Sequence, residues 1–512
     1  MIVRRDVLKG VASGAGLVFP STLLAQAQPA PQQPQAAPQP APFQQAQVLD
    51  IARSFAKAPF MPAPTELPEA FTGLNYEQYV GLRLRKEKLI WADDKVGFVI
   101  EPLHRGFIFN SSMMIHVVEN GLSHRLAYHV GDFETGAVNP PQNLPDIGFS
   151  GFRVLVPREG RLAEVAIFQG ASFFKARAPG QAYGVQARGL SLKTADPRGE
   201  EFPHFRAVWI EKPTRASNAL IVHALLDSES VSGAYRFTIR PGEAIIIDTE
   251  LTLVPRASVE NVGIGSMSAT SISSPLDRRR PDDVRPIIAD VNGLQMNTGK
   301  DEWIWRSVTN RQTLQVSSFV DERPKGFGFL LRNRDFESYQ DDDLKWETRP
   351  SLWIEPLNEF GPGFVALTEI PAESETNSNC IAYWRPKGGL SAGVEASWAY
   401  RQFWCWGPPT QPPLLRVTET RGGRGGGKKR RFIVAFSGDA LADPQKLRDI
   451  KPALTAAPGV ITSVRSYLYR DRKVFRVVFD LDPGAETQSE IRLLLEMDGK
   501  PVSETWLYRW TP

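Results

Sequence analysis

Tryptophan and carboxylate coincide in one stretch of this chain. Trp303, Trp305, Trp346, Trp353 and Trp384 share about a hundred residues with Asp290, Asp301, Glu302, Asp335, Asp341, Asp342, Asp343, Glu347, Glu355, Glu369, Glu373 and Glu375. Sugar rings stack their C–H faces on aromatic planes, while carboxylates accept hydroxyl hydrogen bonds and supply the acid and base that glycoside hydrolysis uses. The combination points to carbohydrate. A plainer reading stands beside it: tryptophans in β-sandwiches are more often core than platform, and Asp341 to Asp343 fit a solvated turn.

Other chemistry is sparse. Six histidines (His104, His116, His124, His129, His204, His223) show no metal-ligand spacing, and His116 lies in an alternating apolar run, so they read as structural and no metal is expected. Cys380 and Cys405 are the only cysteines; one bridge or two buried thiols are both open.

The elements that must hold these residues have the period of β-structure. In Tyr235-Arg236-Phe237-Thr238-Ile239-Arg240 apolar and polar residues alternate, Pro241-Gly242 turns the chain, and residues 244–254 form a second strand-like run. The same pattern recurs at 464–481, and again at 491–497 before the Asp498-Gly499 turn and 502–508. Helices are few: Val48, Ile51, Ala52 and Phe55 make one apolar face, and Asp443-Pro444 opens a second, short helix. With 41 Gly and 41 Pro punctuating short strands, the fold class is all-β, with sandwiches favoured over α/β layers. A boundary is expected at residues 386–393, leaving 48–388 as a large domain and 394–512 as one of immunoglobulin-like size. The basic, Gly-rich run 421–431 reads as a solvent-exposed hairpin tip.

The first residues set the compartment. Arg4-Arg5, an apolar stretch to about Leu24 and Ala25-Gln26-Ala27 make residues 1–27 a twin-arginine export signal, although Val3 and Val7 stand where Ser or Thr and Phe are usual. The apolar run is broken by Ser13, Gly14, Gly16, Pro20 and Ser21, so cleavage is expected over anchoring, and the protein is expected to work in the periplasm. That address excludes cytosolic nucleotide chemistry and argues against nucleic acid, despite a net charge of +3. Residues 28–47, almost all Pro, Gln and Ala, read as an extended tether. No later run reaches transmembrane length, so no integral membrane protein is expected.

Several runs carry a resemblance: Gly170-Ala171-Ser172-Phe173-Phe174, Ala187-Arg188-Gly189-Leu190, Gly199-Glu200-Glu201-Phe202-Pro203, Glu302-Trp303-Ile304-Trp305-Arg306, Arg334-Asp335-Phe336, Arg349-Pro350-Ser351 and Ser503-Glu504-Thr505-Trp506. In order, and over nearly everything from about Gln45 onward, the chain resembles the periplasmic glucan biosynthesis proteins G and D. The arginine pair of its signal is more like the D branch. The resemblance implies a large β-sandwich of the galactose-mutarotase type followed by a small immunoglobulin-like sandwich. It also implies a cleft for glucan with a β-1,2-linked glucose backbone, no cofactor, and a relationship to the inner-membrane glucan synthase.

The same resemblance assigns roles. Asp290 in Ala289-Asp290-Val291-Asn292 matches the family's base, which acts on water through a hydroxyl relay. The family's acid is an aspartate in Glu-Thr-Asn-Asp-Asn, and here the run is Glu375-Thr376-Asn377-Ser378-Asn379, so Ser378 occupies its place. A serine hydroxyl cannot usefully protonate a glycosidic oxygen. Two readings follow: Glu375 or Glu373 substitutes as the acid and the chain cleaves or transfers β-1,2-glucan by inversion, or hydrolysis is lost and the chain binds and guides nascent glucan. Arg334, Asp335, Tyr339 and Trp353 are the residues expected to fix glucose units. Small residues at Ser268 and Ala269, where relatives carry bulky aromatics, are expected to widen one cleft wall.

Overall fold

The computed structural model describes residues 39–277, 282–445 and 449–512. The signal and most of the tether therefore lie outside the described residues, as does most of the short helix expected after Asp443. A 3₁₀ turn, Asp439–Ala442, stands just ahead of that helix. Part of the expected tether is regular structure: Ala41–Pro42 pairs with Leu122 and Ser123, and a helix runs Gln45–Lys57. Its apolar face is the one the spacing gives, with Val48 and Ala52 buried against Trp209, Leu225 and Val254. The helix stops where Ala58 precedes Pro59 and leaves the α region.

Everything else of size is strand, and the fold is all-β. A sixteen-stranded sheet and a ten-stranded sheet account for most of it, with a four-stranded sheet near the C-terminus. The alternating run at 235–240 lies in the strand Val231–Arg240, paired antiparallel with Ile245–Pro255 across the predicted turn. The two large sheets pack face to face. Phe168 and Phe174 of the ten-stranded sheet meet Phe237 of the other at 5.3 Å between ring centroids, and each buried side chain of this size contributes roughly 1.5–3 kcal/mol. Among the described residues no helix is long and apolar enough to cross a membrane.

The turn at 388–393, where a division is expected, does not end pairing in the larger sheet. The strand Ala396–Cys405 follows it and inserts between Ile245–Pro255 and Ser351–Pro356, so that sheet keeps the chain to Cys405. The C-terminal strand Thr505–Trp510 then returns parallel to Trp303–Ser307. Over this end lies the four-stranded sheet (Arg416–Arg424, Arg430–Ser437, Val474–Asp482 and Val460–Tyr469), closing a second core of Trp303, Trp305, Trp353, Phe432, Phe479 and Trp506.

Burial in this core, for Trp303, Trp305 and Trp353, and in two other clusters, for Trp346 and Trp384, leaves none of the five as an open sugar platform. Trp303, Trp305, Trp346, Trp353 and Trp384 are 7, 3, 1, 1 and 0 % exposed. Trp303 stacks on Trp353 at 6.0 Å, and the Trp353 indole N–H donates to Glu355. Cys380 and Cys405 are both buried and unbridged.

Candidate functional site

Strand register divides the ten-stranded sheet into two unlike faces. Directly paired residues share a face, so Glu101, Arg153, Ile167 and Lys175 line up on one side, as do Phe173, Arg188 and Ser266. Gln186 and Ser268 continue that row. The alternate residues Phe152, Phe168 and Phe174 form an aromatic ladder on the other side, toward the core, with centroids 4.9 Å apart. At Gly265 a φ of +58° lets the strand Val262–Ala269 bulge and shift register, which seats Ser266 and Ser268 in the polar row. A groove of about 1590 Å³ runs along this side, lined by Glu101, Arg153, Glu164 and Arg177, and reaches Lys345 and Thr348.

Lys345 precedes the 3₁₀ turn Trp346–Thr348, Thr348 ends it, and the next residue, Arg349, reaches Asp290. Asp290 is 4 % exposed. One of its carboxylate oxygens accepts from the Arg349 guanidinium, the other from the Thr270 N–H at 2.7 Å, while its own N–H donates to the Thr270 carbonyl. Arg349 lies flat on the Trp346 ring, 3.4 Å from its centroid. Lys175 is part of the same charge cluster: burial lowers its pKa, Asp290 opposes that and Arg349 adds to it.

Ser378 meets the same segment from the other side. Its neighbour Asn379 donates its N–H to the Ala269 carbonyl and accepts from the Ser271 N–H at 2.7 Å, so Thr270 joins the Asp290 and Ser378 positions. The Ser378 hydroxyl accepts from the Gln186 amide at 3.4 Å, and the same amide donates to Ser268 at 3.0 Å. Ser268 is fully buried and Ala269 faces the apolar core, so the small residues there fit a closed hydrogen-bonded wall rather than an open one. From Ser268 the network runs to Arg188, then to Glu200 at 2.6 Å and Thr194. Burial lowers the Arg188 pKa, and its guanidinium lies over Phe173 and Phe202, of which Phe202 is 46 % exposed.

The expected substitute acids point elsewhere. Both carboxylate oxygens of Glu375 accept from Arg285 at 3.0 Å, and that arginine also holds Asp283 and Asp341. Asp341 in turn accepts from the Trp346 indole N–H, so Glu375 is tied into the scaffold behind Arg349. Glu373 lines a different cavity.

The residues expected to grip glucose are also spent on structure, apart from Asp335. Arg334 donates to the carbonyls of Glu347, Arg349 and Trp406, each at 2.9 Å, and burial lowers it to about 10. Tyr339 is fully buried, donates to the Asn333 carbonyl, and is pushed up to about 12 by burial. Trp353 is in the second core. Asp335 is exposed and accepts from Ser338 beside the turn Phe336–Ser338.

Sequence reasoning passed over Lys175 and Gln186, and counted Glu347 among the carboxylates without giving it a role. Glu347 Oε2 is buried without a hydrogen-bond partner, and both Glu347 and Asp290 raise the Tyr339 pKa, so the two carboxylates lie within electrostatic reach of one phenol. The signal for Lys175 was available: in Phe173-Phe174-Lys175-Ala176 the charge falls on the face opposite Phe174.

The chain matches, over residues 43–510, the family described as periplasmic glucan biosynthesis protein, MdoG. A glucans biosynthesis protein G from Vibrio cholerae serotype O1 is 42 % identical over 476 residues, covering 91 % of this chain and 86 % of that protein. One from Bradyrhizobium diazoefficiens is 38 % identical over 514 residues, covering 99 % of this chain and all of that protein. One from Shewanella baltica is 40 % identical over 473 residues, covering 91 % and 86 %. These relatives carry the G name, where the arginine pair is more like the D branch. A solved polysaccharide lyase covers 71 % of this chain and 44 % of its own at a TM-score of 0.18 and 10 % identity, a likeness too slight to bear on fold or function.

Proposed function

From the membership of this chain in the MdoG family of periplasmic glucan biosynthesis proteins, and the role in glucan biosynthesis that comes with it, we propose that it binds the β-1,2-linked glucose backbone of a periplasmic glucan and guides it without cleaving it. The glucan lies in the groove on the polar face of the ten-stranded sheet. Export through the Arg4-Arg5 signal, removal of residues 1–27 and a contact with the inner-membrane synthase belong to the same proposal.

One observation carries the choice of binding over hydrolysis. At the point shared with Asp290 the acid position is Ser378, already engaged by Gln186, and the neighbouring Glu375 has both oxygens on Arg285. Losing a general acid costs about 10²–10⁴ in rate. The groups that line the groove suit a polyhydroxylated ligand: Arg153 and Arg177 donate, and Glu101 and Glu164 accept, on the same face as the row of Lys175, Gln186 and Arg188. Isothermal titration of the mature protein with linear β-1,2-glucan tests this reading. Saturable heat with unchanged glucan chain length afterwards supports it, while absence of binding, or shortened glucan, rejects it.

Glu347 supports one second reading, hydrolysis with a relocated acid. Its buried, unpartnered oxygen lies near the phenol that Asp290 also faces, which puts a second carboxylate in the neighbourhood of Asp290. Cleavage by the native chain that disappears in Glu347→Gln would select it.

A further inference from the structure

A second cavity, of about 670 Å³, draws its walls from five separate pieces of chain: 272–277, 310–312, 371–373, Arg430 and 508–512. Its size falls within the roughly 300–1,000 Å³ of small-molecule sites. Three polar atoms of its lining residues are buried and have no hydrogen-bond partner in the protein: Asp277 Oδ2, Arg311 Nε and Trp510 Nε1. Buried polar groups in native proteins are nearly always satisfied, so three around one cavity require a common explanation.

The rest of each side chain is fixed. Asp277 Oδ1 accepts from the Asn310 N–H at 2.8 Å. Arg311 donates through one terminal nitrogen to the Tyr508 hydroxyl at 3.3 Å and through the other to the Arg509 carbonyl at 2.8 Å, and its guanidinium lies 4.9 Å over the Tyr508 ring. One acceptor and two donors are thus held in place and left over. Beside them Ile272, Leu276 and Tyr508 give an apolar wall.

We infer that this cavity is a second carbohydrate site, which takes a short glucosyl segment with hydroxyls on Asp277, Arg311 and Trp510 and a C–H face against the apolar wall. A sugar hydroxyl both donates and accepts, so it satisfies all three atoms. An apolar ligand leaves them unpaired, and the lining holds two carboxylates, Asp277 and Glu373, against two guanidiniums, Arg311 and Arg430, a balance that favours a ligand without net charge. Burial also pushes the Asp277 carboxyl up to about 7, which lets it donate as well as accept near neutrality. The loop 371–379 carries both Glu373, in this cavity, and Ser378, in the hydrogen-bonded network of the polar row. Asn310 pins that loop by bonding both the N–H and the carbonyl of Ala372. The identity of the sugar rests on the reading of the groove as a glucan site.

The test is titration calorimetry of the mature protein with linear β-1,2-glucan oligosaccharides. The native chain is expected to show two binding classes. Asp277→Ala weakens one of them at least tenfold, and Gln312→Trp, a bulky side chain at an exposed lining position that leaves the buried atoms intact, does the same. Lys175→Met weakens only the other class. Two undisturbed classes in both Asp277→Ala and Gln312→Trp overturn the second site while the groove reading stands. Loss of all binding in those variants, with Lys175→Met unaffected, removes the groove reading and keeps the second site. A native chain that binds no oligosaccharide overturns both.

Discussion

The two faces of the ten-stranded sheet are built from alternate residues of the same strands, yet they do opposite work. On one side Phe152, Phe168 and Phe174 stack into a continuous ladder that meets Phe237 across the sandwich. On the other, Arg153, Lys175, Gln186 and Arg188 stand in matching register, and Arg188, 6 % exposed, is as deeply placed as a core residue beside the fully buried Ser268. Ordinary outward faces are solvated and weakly ordered. Here the outward face is internally hydrogen-bonded, so its side chains are fixed by one another and not by the core.

If that division holds, Phe168→Ala gives the largest loss of stability, about 3–5 kcal/mol in chemical denaturation, because it removes the middle ring of the ladder and leaves a cavity. Its residual folded fraction should bind glucan with native affinity. Arg349→Ala comes next, at about 3 kcal/mol, since Asp290 is then a buried carboxylate without its guanidinium. Adding Asp290→Asn should recover part of that loss, and the double-mutant cycle measures the coupling directly.

A third variant separates the groove from the second cavity. The unfolded-chain value for Asp277 is ~3.9, and burial raises it to about 7 in the fold. Between these values the folded chain holds more protons than the unfolded one, so stability falls as pH rises through that window. Asp277→Asn should therefore stabilise the protein by about 1–3 kcal/mol at pH 8, with the gain fading toward pH 4, as followed by thermal melts across the range. Gln186→Ala should change stability least, by under about 1 kcal/mol, yet weaken glucan binding on the order of tenfold, equivalent to about 1.4 kcal/mol. A loss of stability in Gln186→Ala comparable to that of Phe168→Ala would erase the distinction between the faces.

Much of the fold is legible in the sequence because period-2 alternation is local. The hairpin around Pro241-Gly242 and the helix face Val48, Ala52 are physical consequences of side-chain direction, and both are where the spacing puts them. The course of the chain past Gly393 is not local: only the partner strands Ile245–Pro255 and Ser351–Pro356 show that Ala396–Cys405 belongs between them. The site was half legible. The segments bearing Asp290 and Ser378 do meet, at Thr270, which the resemblance to a family implied and composition did not. Tryptophan count misled, because exposure is a tertiary property and a second core absorbs Trp303, Trp305 and Trp353. Glu375 was adjacent to Ser378 in sequence, and nothing local announces that Arg285, ninety residues away, holds both its oxygens.

The most direct test of the central claim is the release of new reducing ends from linear β-1,2-glucan by the native protein beside Ser378→Asp. The account predicts none from the native chain and cleavage by Ser378→Asp that Asp290→Asn abolishes, since a general acid restored to that position regains a factor of about 10²–10⁴. Cleavage by the native chain at a rate that Ser378→Asp leaves unchanged would contradict it.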